Sequence, residues 1–193
     1  MKRTIALLAL AGCSALSPQP DRTKYFVLRP LAVPEREPVG GFDRSIGIGP
    51  ILIPDHLERG LVTRLDHDEI AISDTDRWAD PLHDSLSRGL RQNLTALLHT
   101  DRIVLFPWEL SASPDVAVTV EVLQFERTAR GTANLTARWT LERGSDRTPL
   151  VTEETRVSRP IQGTDTGAAV AALSSALVVL SEHIASAVRR LPP

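Results

Sequence analysis

Apolar residues recur along this chain with two rhythms, and the switches between them outline its elements. From 133 to 142 the period is two. Ala133, Leu135, Ala137, Trp139 and Leu141 alternate with Asn134, Thr136, Arg138, Thr140 and Glu142, which predicts a strand with one buried face and one solvated face. The stretch 115–128 keeps the same period through Val116, Val118, Val120 and Val122 before the apolar phase moves to Leu123 and Phe125. A bulge near Val122 accounts for that shift. Residues 151–157 complete a meander. Shorter runs rich in branched and aromatic residues predict strands at Tyr25-Phe26-Val27-Leu28, 45–53, 61–65, 69–72 and 103–106.

A period near four marks two helices. The first is expected from Asp76 or Asp80 to His99, with Trp78, Leu82, Leu86, Leu90, Leu94 and Leu98 on one stripe widened by Leu97. Pro81 then belongs in the first turn, where its missing N–H costs nothing. Gly89 in mid-helix costs up to about 1 kcal/mol relative to Ala and points to close packing on a strand. The last helix, 165–191, buries Leu173, Leu177, Leu180, Ile184 and Val188 and stops before Pro192. These elements predict an α/β fold: a single mixed β-sheet with two main amphipathic helices packed against it.

Between the elements, Pro30, Pro34, Pro38, Gly40 and Gly41 predict a loop, and the run from Pro54 to Gly60 a turn. Gly47-Ile48-Gly49 is not a dinucleotide loop, because Pro50 and further strand residues follow where a helix is needed. Close backbone approach or a bulge is the expected use of these glycines. No internal repeat and no second domain are visible.

The N-terminus has a different grammar. Lys2 and Arg3 precede an apolar run, Ile5 to Leu10, and then Ala11-Gly12-Cys13. This is the layout of a secretory signal, too short for the roughly 20 residues of a bilayer span. Leu10-Ala11-Gly12-Cys13 resembles the lipobox of bacterial lipoproteins, which implies cleavage before Cys13 and lipid on its thiol. The expected organisation is a signal peptide at 1–12, a lipidated N-terminus and polar tether at 13–23, and one domain at 24–193. Ser14 after the cysteine, in place of Asp, points to the outer membrane, with the body on its periplasmic face.

Composition narrows the function. The chain has 193 residues, 42% hydrophobic and 24% charged, with net charge −2, the profile of an ordinary globular domain. Loss of Lys2 and Arg3 makes the mature chain more negative still, which argues against nucleic acid as a partner. Cys13 is the single cysteine, so no disulfide supports the fold. Asp66-His67-Asp68 is read as a solvated turn, since adjacent residues of an extended chain diverge. His56, His83, His99 and His183 lack ligand spacing, and no Gly-x-Ser-x-Gly elbow occurs. No metal, cofactor or catalytic residue is assigned.

The stretch Ile46-Gly47-Ile48-Gly49-Pro50-Ile51-Leu52-Ile53-Pro54-Asp55-His56-Leu57-Glu58-Arg59, continued by Leu61-Val62-Thr63-Arg64, resembles the PqiC (YmbA-like) lipoproteins. Tyr25-Phe26-Val27-Leu28 and Arg77-Trp78-Ala79-Asp80-Pro81-Leu82 match as well. His56 departs from the Tyr expected there, and Gly60 from the commoner Pro. The resemblance implies the auxiliary lipoprotein of an ABC-type transport system carrying an MCE-domain (PqiB-like) protein and an inner-membrane component. It implies a non-enzymatic subunit that docks a lipid conduit to the outer membrane, with a homo-oligomeric ring compatible with that task. Arg59, Arg64, Arg77 and Trp78 are the candidate partner-binding residues, because Arg and Trp dominate many interfaces. A lipoprotein adaptor in envelope or surface-polymer assembly, and a tethered hydrolase, are the alternatives left open.

Overall fold

The alternating stretch at 132–143 lies inside the sheet, with a strand on each side. A computed structural model describes residues 21–31, 42–108 and 113–192 of the chain. The signal segment, Cys13, most of the tether and the loop carrying Pro34, Pro38, Gly40 and Gly41 lie outside the described residues. In chain order the elements are β1 (Lys24–Phe26), β2 (Ile46–Leu52), α1 (Asp55–Glu58), β3 (Val62–Arg64), β4 (Ile70–Ile72) and β5 (Asp76–Trp78). Then come α2 (Leu82–Leu98), β6 (Ile103–Leu105), β7 (Val116–Thr128), β8 (Thr132–Arg143), β9 (Pro149–Pro160) and α3 (Thr166–Arg190).

Strands β7, β8 and β9 form an antiparallel meander. On the other side of β7, β2 runs parallel along its first half and carries β6, also parallel. The C-terminal tip of β7 pairs with β3, whose antiparallel partner is β4. The expected mixed sheet is therefore present. Beside it stands a small second sheet, the parallel pair β1–β5.

The register of β7 against β8 slips between Val122 and Gln124, where the shift of apolar phase placed a bulge. A second slip falls between Ile48 and Ile51 of β2. The glycines of β2 serve close approach: a Cβ on Gly47 would lie 2.4 Å from Pro114 Cγ and 3.0 Å from the Trp108 ring.

One face of the sheet is dry. Ala133, Leu135, Ala137, Trp139 and Leu141 of β8 are all buried, as are Leu173, Leu177, Leu180, Ile184 and Val188 of α3. Helix α3 is long and apolar enough to cross a membrane by length and composition. Its thirteen buried residues are instead part of the domain core. The opposite face is wet, with Arg138 of β8 reaching Glu121 of β7 at 3.8 Å and Glu154 of β9 at 3.5 Å. Such exposed pairs contribute about 1 kcal/mol at most.

Three expectations about the first helix change. It begins at Leu82, and Asp76–Trp78 is a strand. Pro81 is the N-cap in extended geometry, not a first-turn residue, and a residue before proline is itself steered away from helix. Gly89 packs against α3 rather than a strand: a Cβ there would lie 2.7 Å from Leu177 Cδ2. The predicted turn at 54–60 contains the single helical turn α1.

A polar seam inside the helical layer explains the buried Asn93, Ser174 and Ser181. Asn93 Nδ2 donates to Ser181 Oγ (3.0 Å), and Ser181 Oγ donates to the Leu177 carbonyl (2.8 Å). The segment after β1 crosses this seam as a strap. The amide of Leu31 donates to Asn93 Oδ1 (2.7 Å), and that of Arg29 to Ser174 Oγ (3.0 Å). Substituting Asn93→Leu keeps the branched shape but removes the acceptor of the Leu31 amide and the donor to the Ser181 hydroxyl, a cost of about 1–3 kcal/mol. Denaturant unfolding should show that loss, with faster limited proteolysis between residues 27 and 31.

Candidate functional site

The residues singled out from sequence lie on α1 and the strands β3 and β5, which form one corner of the domain. Glu58, at the end of α1, ties this corner to the core. Its carboxylate accepts the amide of Leu82 at 2.8 Å and that of His83 at 3.2 Å. The His83 ring places Nδ1 2.5 Å from the same oxygen, Oε1. Two otherwise unmatched N–H groups of α2 are thus capped from outside the helix. Burial pushes the Glu58 carboxyl up, but the hydrogen bonds from His83 and the two amides outweigh it and hold it below its ordinary value. Gly60 lets the chain turn tightly over the next elements, since a Cβ there would lie 3.0 Å from the Ser73 carbonyl and 3.4 Å from that of Asp76.

Arg64 closes the corner against the sheet. Its guanidinium grips the Glu126 carboxylate through Nε and, at 3.2 Å, through Nη2, while Nη1 donates to the His67 carbonyl at 3.0 Å. Glu126 is only 1% exposed, and its hydrogen bond is what most raises the pKa of Arg64 above the usual guanidinium range. A two-pronged grip of this kind is geometrically specific. Beside it lies an open cavity of about 220 Å³, lined by residues including Arg64, His67, Thr128, Arg130 and Asn134.

The four candidate residues do not form one surface. Trp78 is 8% exposed, with its ring centroid 6.0 Å from that of Phe125. Its neighbour Arg77 faces solvent, as alternation along a strand requires. Arg64 is committed to Glu126. Arg59, exposed at the end of α1, and Arg77 are the two whose guanidinium groups have no carboxylate partner among the described residues. The reading of Arg and Trp as interface residues therefore has room on Arg59 and Arg77, while Trp78 and Arg64 are held by the fold.

Asp66-His67-Asp68 lies in an exposed bend between β3 and β4. Among the described residues no group of three or more His, Cys, Asp or Glu side chains is placed to hold a metal ion. His183 Nδ1 meets the buried Thr155 hydroxyl at 3.1 Å, and Thr155 Oγ1 accepts the indole N–H of Trp139 at 3.0 Å. That chain satisfies the polar atom of a core tryptophan. Sequence reading missed the capping role of Glu58, whose partners Leu82 and His83 lie 24 and 25 positions further along the chain, beyond the reach of any local signal. It also missed the exposure of Tyr25 on β1 and of Val27 just after it.

The family model described as "ABC-type transport auxiliary lipoprotein component" matches residues 26–185. A comparison with curated proteins finds no match. Among solved structures, a crystal structure of an uncharacterised protein is similar with a TM-score of 0.71 at 20% identity, covering 86% of this chain and 98% of its own. Protein XCC0632 from Xanthomonas campestris gives a TM-score of 0.63 at 20% identity, covering 86% of this chain and 91% of its own. At that identity the likeness is one of fold.

If Arg64 serves the fold, Arg64→Ala should destabilise the domain by about 3–5 kcal/mol, because Glu126 is left buried and unpaired. The double replacement Arg64→Met with Glu126→Leu should recover most of that loss in thermal unfolding. An Arg64→Ala protein as stable as the parent would return Arg64 to the set of free surface cations.

Proposed function

The chain belongs to the family of ABC-type transport auxiliary lipoprotein components, and from that premise we propose that it is the outer-membrane subunit of an ABC/MCE-type intermembrane lipid transport system. The observation that carries the reading is the family match over residues 26–185, preceded near the N-terminus by a lipobox-like Leu10-Ala11-Gly12-Cys13. Lipid on Cys13 fastens the chain to the periplasmic face of the outer membrane. More than one acyl chain makes such anchoring stable, at about 0.8 kcal/mol per buried methylene.

In this reading the domain acts by docking and not by catalysis. Its partners are an MCE-domain (PqiB-like) protein and the inner-membrane component that supplies the conduit, and copies of the subunit form a ring around the conduit's outer end. A symmetric tube is matched most simply by a symmetric collar. The corner of α1, β3 and β5 supports this reading by what it is built from: side chains that fix shape, with Arg59 and Arg77 left for contact.

Crosslinking in intact cells followed by purification of the lipidated protein from outer membranes tests the proposal. Recovery of an MCE-domain protein is the expected result, and Cys13→Ala should abolish both lipid labelling and that recovery. Recovery of surface-polymer assembly proteins alone, with lipidation intact, would contradict the transport reading.

A further inference from the structure

The β1–β5 ribbon has two unlike faces. Parallel register pairs Phe26 with Trp78 and Tyr25 with Arg77, and paired residues of neighbouring strands project to the same side. Phe26 and Trp78 turn inward onto the core. Tyr25 and Val27 turn outward, 65% and 59% exposed, and are two of the largest apolar exposures among the described residues. Arg29 continues that outer stripe two residues on, and it and Arg77 are both exposed. Among the described residues Arg77 donates by hydrogen bond to the backbone carbonyl of Asp74, at 3.4 Å, and it lies in the field of the Asp21 carboxylate. The outer stripe therefore presents an aromatic ring, an aliphatic side chain and two guanidinium groups together.

The position of this stripe says what it can meet. Lys24, the first residue of β1, follows Cys13 by a stretch of chain that spans at most about 40 Å when fully extended. The strand is held rigidly to the body: Lys24 N–H donates to the Thr75 carbonyl at 2.7 Å, and Ala79 N–H to the Phe26 carbonyl at 2.9 Å. Past the ribbon, the strap is stitched to Asn93 and Ser174. An anchor on so short a leash keeps this face at high effective concentration over the bilayer. Tyrosine is the residue type that favours the headgroup level, with its ring in the apolar boundary and its hydroxyl in water. Guanidinium groups on the same face pair with lipid phosphates.

We propose that the outer face of the β1–β5 ribbon rests on the phospholipid surface that holds the Cys13 lipid, with Tyr25 and Val27 at the headgroup boundary and Arg29 and Arg77 on lipid phosphates. This rests on the lipid-anchor reading above. It adds that the anchor and the ribbon together fix the orientation of the domain on the membrane, so that the wet face of the sheet and the long meander have a set direction relative to the bilayer.

The test uses the full lipidated protein in vesicles of phosphatidylethanolamine and phosphatidylglycerol, with Val27→Cys carrying a nitroxide. Cys13 is the single native cysteine and is blocked by lipid, so the label is unique. A control label goes at Val104→Cys, an exposed position on β6. The expected result is several-fold lower accessibility of label 27 to a water-soluble nickel relaxant than of label 104. The double variant Arg29→Glu, Arg77→Glu should return label 27 to the accessibility of label 104. Label 27 as open to the relaxant as label 104, in protein shown by mass to carry lipid, overturns the ribbon contact and leaves the anchor standing. Protection of label 27 that follows protein density and not lipid composition assigns the face to a second copy and also overturns it. A mass without lipid overturns the anchor reading, and the ribbon contact with it.

Discussion

A proline at the cap position leaves the first N–H groups of α2 without a side chain of their own, and Glu58 supplies the missing acceptor from 24 residues upstream. Much of the domain's corner depends on that contact. It joins α1 to α2, and α1 leads through Gly60 into a turn lying over Ser73 and Asp76. Ser73 N–H then donates to the Leu61 carbonyl, and Leu61 N–H to the Asp76 carbonyl, which holds the start of β3 beside the β4–β5 connection. Strand β5 carries β1, and β1 carries the strap over the helices. The contact is charge-dependent with a definite sign. Glu58 titrates below its ordinary 4.5 in the folded chain, so its contribution is present above that value and is lost as pH falls through the lowered one.

Much of the sheet was legible because burial there follows local pattern. The alternation from Ala133 to Leu141 has one solution, since a one-residue slip would turn Trp139 and Leu135 out to water. The phase change after Val122 could be read as a bulge for the same reason. The stripe of α3 was equally plain. What was not legible depends on partners distant in sequence. Trp78 falls at helical spacing before Leu82, yet its burial comes from Phe125 on β7 and its backbone pairs with β1, some fifty positions earlier. Gly89 carried a signal of close approach but none of the approaching element. That element, Leu177, lies on the other helix.

The same logic sorts the candidate site. Arg64 and Trp78 carry the composition of an interface, but one answers a buried carboxylate and the other completes a core. Composition does not distinguish an anchor for a partner from an anchor for the fold, because both need a large side chain held in one geometry. Exposure and pairing do. By that measure the surface left for contact comprises Arg59, Arg77 and the outward side of β1, and the residues most conspicuous in sequence are those that shape the support beneath it.

Hydrogen exchange of Glu58→Ala above pH 5 tests this account most directly. Removing a cap of this kind costs about 0.5–2 kcal/mol. The account predicts that protection falls at the amides of Leu82 and His83 and, together with them, at Lys24 and Ala79, which bridge the ribbon to the corner, while β8 and α3 are unchanged. Loss confined to Leu82 and His83, with Lys24 and Ala79 as protected as in the parent, would contradict it.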